Sequence, residues 1–184
     1  MLPFRRRNES HALSVAMTGV KMGDHLAQIG CADGGRLGAI AVKVGLSGRA
    51  VAILPDEGAA LRARTGAAGA GVLVEVAVAP PTRLPLEDHA FDLVVVDDTG
   101  GLLATLPAGE QIAAAREVLR TLKPGGRVMV LGAVPRSGWD AIVSRAPAGP
   151  LFDPQPALEA GGFRFVRHLA EREGLRFVEG LKSR

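Results

Sequence analysis

The sequence predicts an α/β protein: a mostly parallel sheet with helices on both faces and an antiparallel hairpin at the end. Three observations carry this. Short apolar runs alternate with segments of helical period along most of the chain, the pattern of strand–helix–strand crossovers. The runs are mostly apolar instead of strictly alternating, as strands buried on both faces are. The first run ends in Ile29-Gly30-Cys31-Ala32-Asp33-Gly34-Gly35 and leads to Leu37. That is a strand, a glycine turn and an apolar-faced helix, the arrangement with which open sheets build a nucleotide pocket at a strand's carboxyl end.

Taken in order, residues 1–9 read as a loose arm carrying Arg5-Arg6-Arg7, and residues 10–184 as one domain. Leu13, Ala16, Met17 and Val20 recur at helical spacing, which predicts a first helix over 10–21 ended by Gly23-Asp24. The first strand follows at 25–30. Leu37, Ile40, Ala41 and Val44 mark the next helix, closed by Gly45 and Gly48. Ala50 to Leu54 is a buried strand, and Pro55-Asp56-Glu57 opens a helix with acids in its first turn, where the dipole favours them. Gly66 to Gly71 reads as a connector into a strand over 72–78, stopped by Pro80-Pro81. Phe91 to Val96 is the fourth strand, with Asp97-Asp98 at its end. Ile112, Ala115, Val118, Leu119 and Leu122 outline a helix; Pro124-Gly125-Gly126 turns into a strand over 127–131. The segments 163–170 and 175–181, joined across Glu173-Gly174, read as the closing hairpin.

Composition excludes several classes. The chain has 184 residues, 47% of them hydrophobic, enough to bury a core and too apolar to stay disordered. The single cysteine, Cys31, rules out an internal disulfide and a multi-cysteine metal site. No apolar stretch after the N-terminal arginines resembles a secretory signal, and none reaches membrane-spanning length. The expectation is a soluble, cytoplasmic protein. The net charge is +3, with no Tyr and 4% aromatics, which argues against a base-stacking surface for nucleic acid. No Gly-Lys-Ser/Thr follows the first strand, so a P-loop is excluded. The missing Tyr also removes a short-chain reductase.

Four landmarks give the chain its kinship. They are the glycine turn Gly30–Gly34, the phrase Leu84-Pro85-Leu86 to Phe91-Asp92, the phrase Arg116 to Lys123-Pro124-Gly125-Gly126, and the final hairpin. In that order they resemble a class I S-adenosylmethionine (SAM)-dependent methyltransferase of the small-molecule type, over about residues 10–182. The resemblance implies a Rossmann-like three-layer sandwich of seven strands in the order 3-2-1-4-5-7-6. It implies SAM as cofactor, no metal, and in-line transfer of the sulfonium methyl to a small molecule.

It also assigns roles. Gly30 and Gly34 match the turn that passes under the cofactor's methionine and ribose, and Leu84 falls among the cofactor-side positions. Three polar positions of the family are changed: Gln28 replaces an early acid, Leu54 the ribose-binding carboxylate, and Pro80 the adenine-binding Asp. Each lost charged hydrogen bond is worth about 1.5–3 kcal/mol. Asp33 in the turn and Asp56 beyond Leu54 are candidate substitutes; each equally suits a local role, Asp33 bracing the turn and Asp56 capping a helix. Asp97 is the candidate catalytic group, placed to orient substrate or accept a proton. Cys31 reads as packing. Of the four histidines only His11 falls near the pocket mouth, and Trp139 is a candidate pocket lining. Two functions remain open. One is an active methyltransferase with a small-molecule substrate. The other is a methyltransferase-fold protein without useful SAM binding, serving a protein partner as an interaction or assembly subunit.

Overall fold

The computed structural model describes residues 11–134 and 152–184; the basic arm and Trp139 lie outside them. Seven strands are β1 (His25–Ile29), β2 (Arg49–Leu54), β3 (Glu75–Val78), β4 (Phe91–Asp98), β5 (Leu122–Ala133), β6 (Arg164–Arg172) and β7 (Leu175–Leu181). They form one sheet in the order β3-β2-β1-β4-β5-β7-β6. The first five pair in parallel, and β7 runs antiparallel between β5 and β6. Among the described residues the α-helices are α1 (Ala12–Thr18), α2 (Gly34–Ala41), α3 (Glu57–Ala70), α4 (Ala108–Thr121) and α5 (Gln155–Gly161), with a 3-10 turn at Val42–Val44 after α2.

Alternate residues of each strand divide the core in two. Ile29, Ile53, Val96 and Val130 pack beneath α4 and α5. Leu26, Val95 and Met129 face α1 and α2, and Ala52 and Leu54 lie under α3. The result is a three-layer sandwich with the order the resemblance implied. The hairpin turns at Glu173-Gly174, both with positive φ (54° and 74°), the left-handed pair that suits the twist of two antiparallel strands.

Two expectations are corrected, and one element is new. The first helix stops at Thr18, because Gly19 takes a left-handed φ of 57° and its amide returns to Ala16 O. The segment Gly66–Gly71 is not a connector: α3 runs through Ala70 and is capped by left-handed Gly71, so β3 starts only at Glu75. Helix α5 was not foreseen. The glycines of α3 have a packing cause. A Cβ on Gly66 would strike the carbonyl of Gly34, and a Cβ on Gly34 the carbonyl of Arg62. Helices α2 and α3 therefore touch backbone to backbone, and the closeness offsets the helical cost of glycine, roughly 1 kcal/mol.

The two longest sequence phrases prove to be one clamp. Arg120 of α4 donates to Leu84 O and Leu86 O and pairs with Asp88 and Glu117. Glu117 in turn accepts the Leu84 amide at 2.8 Å. Lys123 holds Asp92, which accepts the His25 amide at the start of β1. Lys182, after β7, donates to Leu119 O and Leu122 O and satisfies the end of α4.

The helix contact makes a paired prediction. Gly66→Ala forces α2 and α3 apart and lowers stability by about 2–4 kcal/mol in urea unfolding. Gly69→Ala, on the same helix with no atom within 4 Å of the new Cβ, raises it by about 0.5–1 kcal/mol.

Candidate functional site at the carboxyl edge of the sheet

The carboxyl ends of β1 and β4, the two central strands, set the site. Gly30 has a φ of 81° and donates its amide to Ile53 O at 2.9 Å. A Cβ there would stand 2.8 Å from both Asp97 O and the Leu102 side chain. Only glycine lets the turn after β1 lie this close to the loop after β4.

The turn is held from the other side by a buried ion pair. Arg36, in the first turn of α2, places one terminal nitrogen 3.0 Å from each oxygen of Asp97 and 2.6 Å from Thr99 Oγ1. Asp97 also accepts from the Ala32 amide, the Thr99 amide and the Thr99 hydroxyl. Its side chain is 1% exposed and that of Arg36 is 9% exposed. The expected catalytic carboxylate is thus saturated by the protein itself. Arg36 was missed in the sequence because a charge beside Leu37 reads as the solvent face of a helix. The available signal was Asp97-Asp98-Thr99 with an arginine one turn into the first crossover helix.

Asp33 spans the first turn of α2, its Oδ1 accepting the Gly35 and Arg36 amides. Asp56 caps α3 through the Ala59 amide at 2.8 Å. Each makes the local hydrogen bond through Oδ1. Leu54 is 0% exposed and packs among Cys31, Ala59, Ala60 and Ala63. Pro80 is exposed, whereas Pro81 turns inward toward a small apolar cavity of about 10 Å³ bounded by Ile29, Val96 and Leu103. Leu84 lies in the core at 4% exposure, its backbone gripped by Glu117 and Arg120. Gly34 serves the helix contact described above. Gln28 donates to Gly30 O at 3.1 Å, and its carbonyl oxygen, like Arg36 Nε, is buried without a partner among the described residues.

The remaining candidates sort by position. The His11 ring lies beside the turn, its Nε2 3.8 Å from Asp33 Oδ2. His25 and His89 bond Ala90 O and Leu122 O at the opposite end of the sheet, and His168 pairs with Asp153. Burial pushes the Cys31 thiol up to about 11, and Asp97 adds to it, so it is neutral near pH 7 and a poor nucleophile. Among the described residues no three His, Cys, Asp or Glu side chains gather as metal ligands, and no helix is long and apolar enough to cross a membrane.

Asp98 faces the α4 layer at 4% exposure and accepts the Leu103 and Ala104 amides on one oxygen. Burial pushes its carboxyl up to about 6; the two amides oppose the rise and Asp97 adds to it. Folding therefore favours the protonated form. The stabilisation is full below the unfolded value, about 3.9, and is lost as pH rises through about 6. Asp98→Asn keeps an acceptor and cannot ionise. It flattens the stability profile between about pH 4 and 6 and raises stability at pH 7 by about 1–3 kcal/mol in urea unfolding. An unchanged profile contradicts the assignment.

Comparison with known proteins bears on the fold. The model of a methyltransferase domain family matches residues 27–126, more than half of the chain. A SAM-dependent methyltransferase from Aquifex aeolicus superposes with a TM-score of 0.72 at 20% identity, over 98% of this chain and 93% of that one. The [4+2]-cyclase SpnF has a TM-score of 0.67 at 19% identity, over 96% and 81%. A Haloferax volcanii putative methyltransferase in complex with the Trm112 methyltransferase activator has a TM-score of 0.65 at 14% identity, over 98% and 93%. No curated protein matches by sequence. With its strand order, its glycine turn at the end of β1 and this family match, the chain belongs to the methyltransferase domain family.

Proposed function

We propose that this chain is a methyltransferase-fold interaction subunit that makes no useful contact with SAM. The observation that carries the reading is the state of its carboxyl edge. Asp97 is saturated by Arg36, Ala32 and Thr99, while Asp33 and Asp56 cap helices. Leu54, where the family's ribose carboxylate belongs, is sealed beneath α3.

These residues do not fit the cofactor. An adenosyl ribose needs an acceptor for its two hydroxyls, and Leu54 offers none. The cationic sulfonium gains from a nearby negative charge, and the Asp97 charge is already neutralised by Arg36. Fold kinship leaves function open, and one structural relative is a cyclase. Another is a putative methyltransferase in complex with a methyltransferase activator, a member of the fold that holds a protein partner. The retained turn at Gly30 is the one feature that favours the alternative, an active methyltransferase acting on a small molecule.

Calorimetric titration decides between them. The interaction reading predicts no heat with SAM or its demethylated product at millimolar concentration; affinity tighter than about 100 μM, near −5.5 kcal/mol, supports the enzyme. Leu54→Asp does not rescue binding, because it places an unpaired carboxylate among Cys31, Ala59 and Ala63. It lowers stability by about 3 kcal/mol or more in urea unfolding. A stable, SAM-binding Leu54→Asp protein contradicts the burial argument.

A further inference from the structure

We propose that the outer edge of β6, centred on Phe165, is the docking surface for an acidic segment of a protein partner. Strand β6 ends the sheet. Arg164 pairs with Leu181 and Arg167 with Glu179, so two residues, Phe165 and Val166, stand opposite Gly180 alone. This is a β-bulge. Val166 turns in against the α4–α5 core. Phe165 is left 80% exposed, at a φ of 49°.

Both features oppose the stability of the isolated chain. An aromatic ring is left in water, and a residue with a Cβ is held in the left-handed region. Among the described residues His89 and Glu173 have a similar φ; the hairpin turn calls for it at Glu173, and the bulge calls for it at Phe165, where glycine is the residue that adopts it without strain. Nothing in the β6–β7 pairing demands Phe at 165. A strained, exposed aromatic is an observation from which a binding role is reasonably inferred.

The charge around it names the partner's chemistry. Arg164, Arg167 and Arg172 are exposed on the same strand. Residues 164–184 carry six Lys and Arg against three Glu. Glu179 is paired with Arg127 and Arg167, and Glu171 with Arg176, and Lys182 is tied to the end of α4; Arg164 and Arg172 on the strand and Arg184 after it carry the excess, against the exposed Glu173 in the turn, while Asp153 covers His168. Aromatic and arginine side chains are the residue types that anchor interfaces. A second copy docking here would set two basic edges against each other, which like charge disfavours. A single aromatic gives no stack of bases a platform. A second bulge between His168 and Ala170 also spoils plain strand addition, so recognition runs through side chains.

This deepens the interaction-subunit reading and rests on it. The test uses the full chain and a fluorescent peptide of about twelve residues alternating Glu and Leu, followed by anisotropy, with a Lys/Leu peptide and an oligothymidine as comparisons. Binding of the Glu/Leu peptide is expected in the micromolar range, weakened at least about tenfold by Phe165→Ser and by Arg164→Glu. The Lys/Leu peptide does not bind. Phe165→Gly relieves the backbone, raises the melting temperature and loses the peptide to the same extent. Peptide affinity indifferent to Phe165→Ser overturns the proposal. So does a fall in melting temperature for Phe165→Gly, which marks Phe165 as a packing residue. Tighter, Phe165-dependent binding of the oligothymidine, or Phe165-dependent dimers in sedimentation, overturns it in favour of those occupants. SAM titration of Phe165→Ser keeps the two readings apart: SAM binding with loss of the peptide removes the former and leaves the docking surface standing.

Discussion

The buried pair of Arg36 and Asp97 is the constraint on which the rest of the carboxyl edge depends. One terminal nitrogen of the guanidinium meets both carboxylate oxygens and the Thr99 hydroxyl. The Ala32 amide, the Thr99 amide and the Thr99 hydroxyl complete the carboxylate's partners. The turn after β1 is thereby tied to the end of β4 from one side, while the missing Cβ of Gly30 lets it close from the other. Taking two such charges out of water is costly, and good geometry with extra hydrogen bonds offsets it. Removing either member alone leaves an uncompensated charge in the core.

The pair in turn needs α2 to sit where it does. Backbone contact between Gly34 and Gly66 sets the distance between α2 and α3, and α3 covers Leu54. The three glycines of the region do different work: Gly30 passes a turn, Gly34 and Gly66 join two helices. In this chain the turn lies against the end of β4 and the two helix glycines join α2 to α3, structural duties that stand whatever the turn binds, which is why a motif vouches for architecture before it vouches for chemistry.

The architecture was legible because its causes are local. Short, valine-rich runs such as Phe91–Val96 between turn signals read as buried strands, and the two long phrases locked by Arg120 and Lys123 state their own spacing. The site was less legible because its causes are distant in sequence. Asp33 and Asp56 look alike as free acids or as caps until the helix amides that they accept are placed. Arg36 and Asp97 lie 61 residues apart, and no periodicity joins them. The stretch Gly66–Gly71 failed for a related reason: glycine breaks an isolated helix but favours one pressed against a neighbouring backbone. Phe165 was legible only as a strand residue, since the bulge that turns it outward comes from the register with Gly180.

The most direct measurement of the central claim is the nitrogen-15 spectrum of the arginine side chains, recorded with and without millimolar SAM. A guanidinium locked on Asp97 through its terminal nitrogen gives a resolved, slowly exchanging Arg36 Nη–H signal that stays in place when SAM is added. Rapid exchange of that signal in the free protein, or a saturable shift on addition of SAM, contradicts a sealed carboxyl edge and returns the chain to the catalytic members of its family.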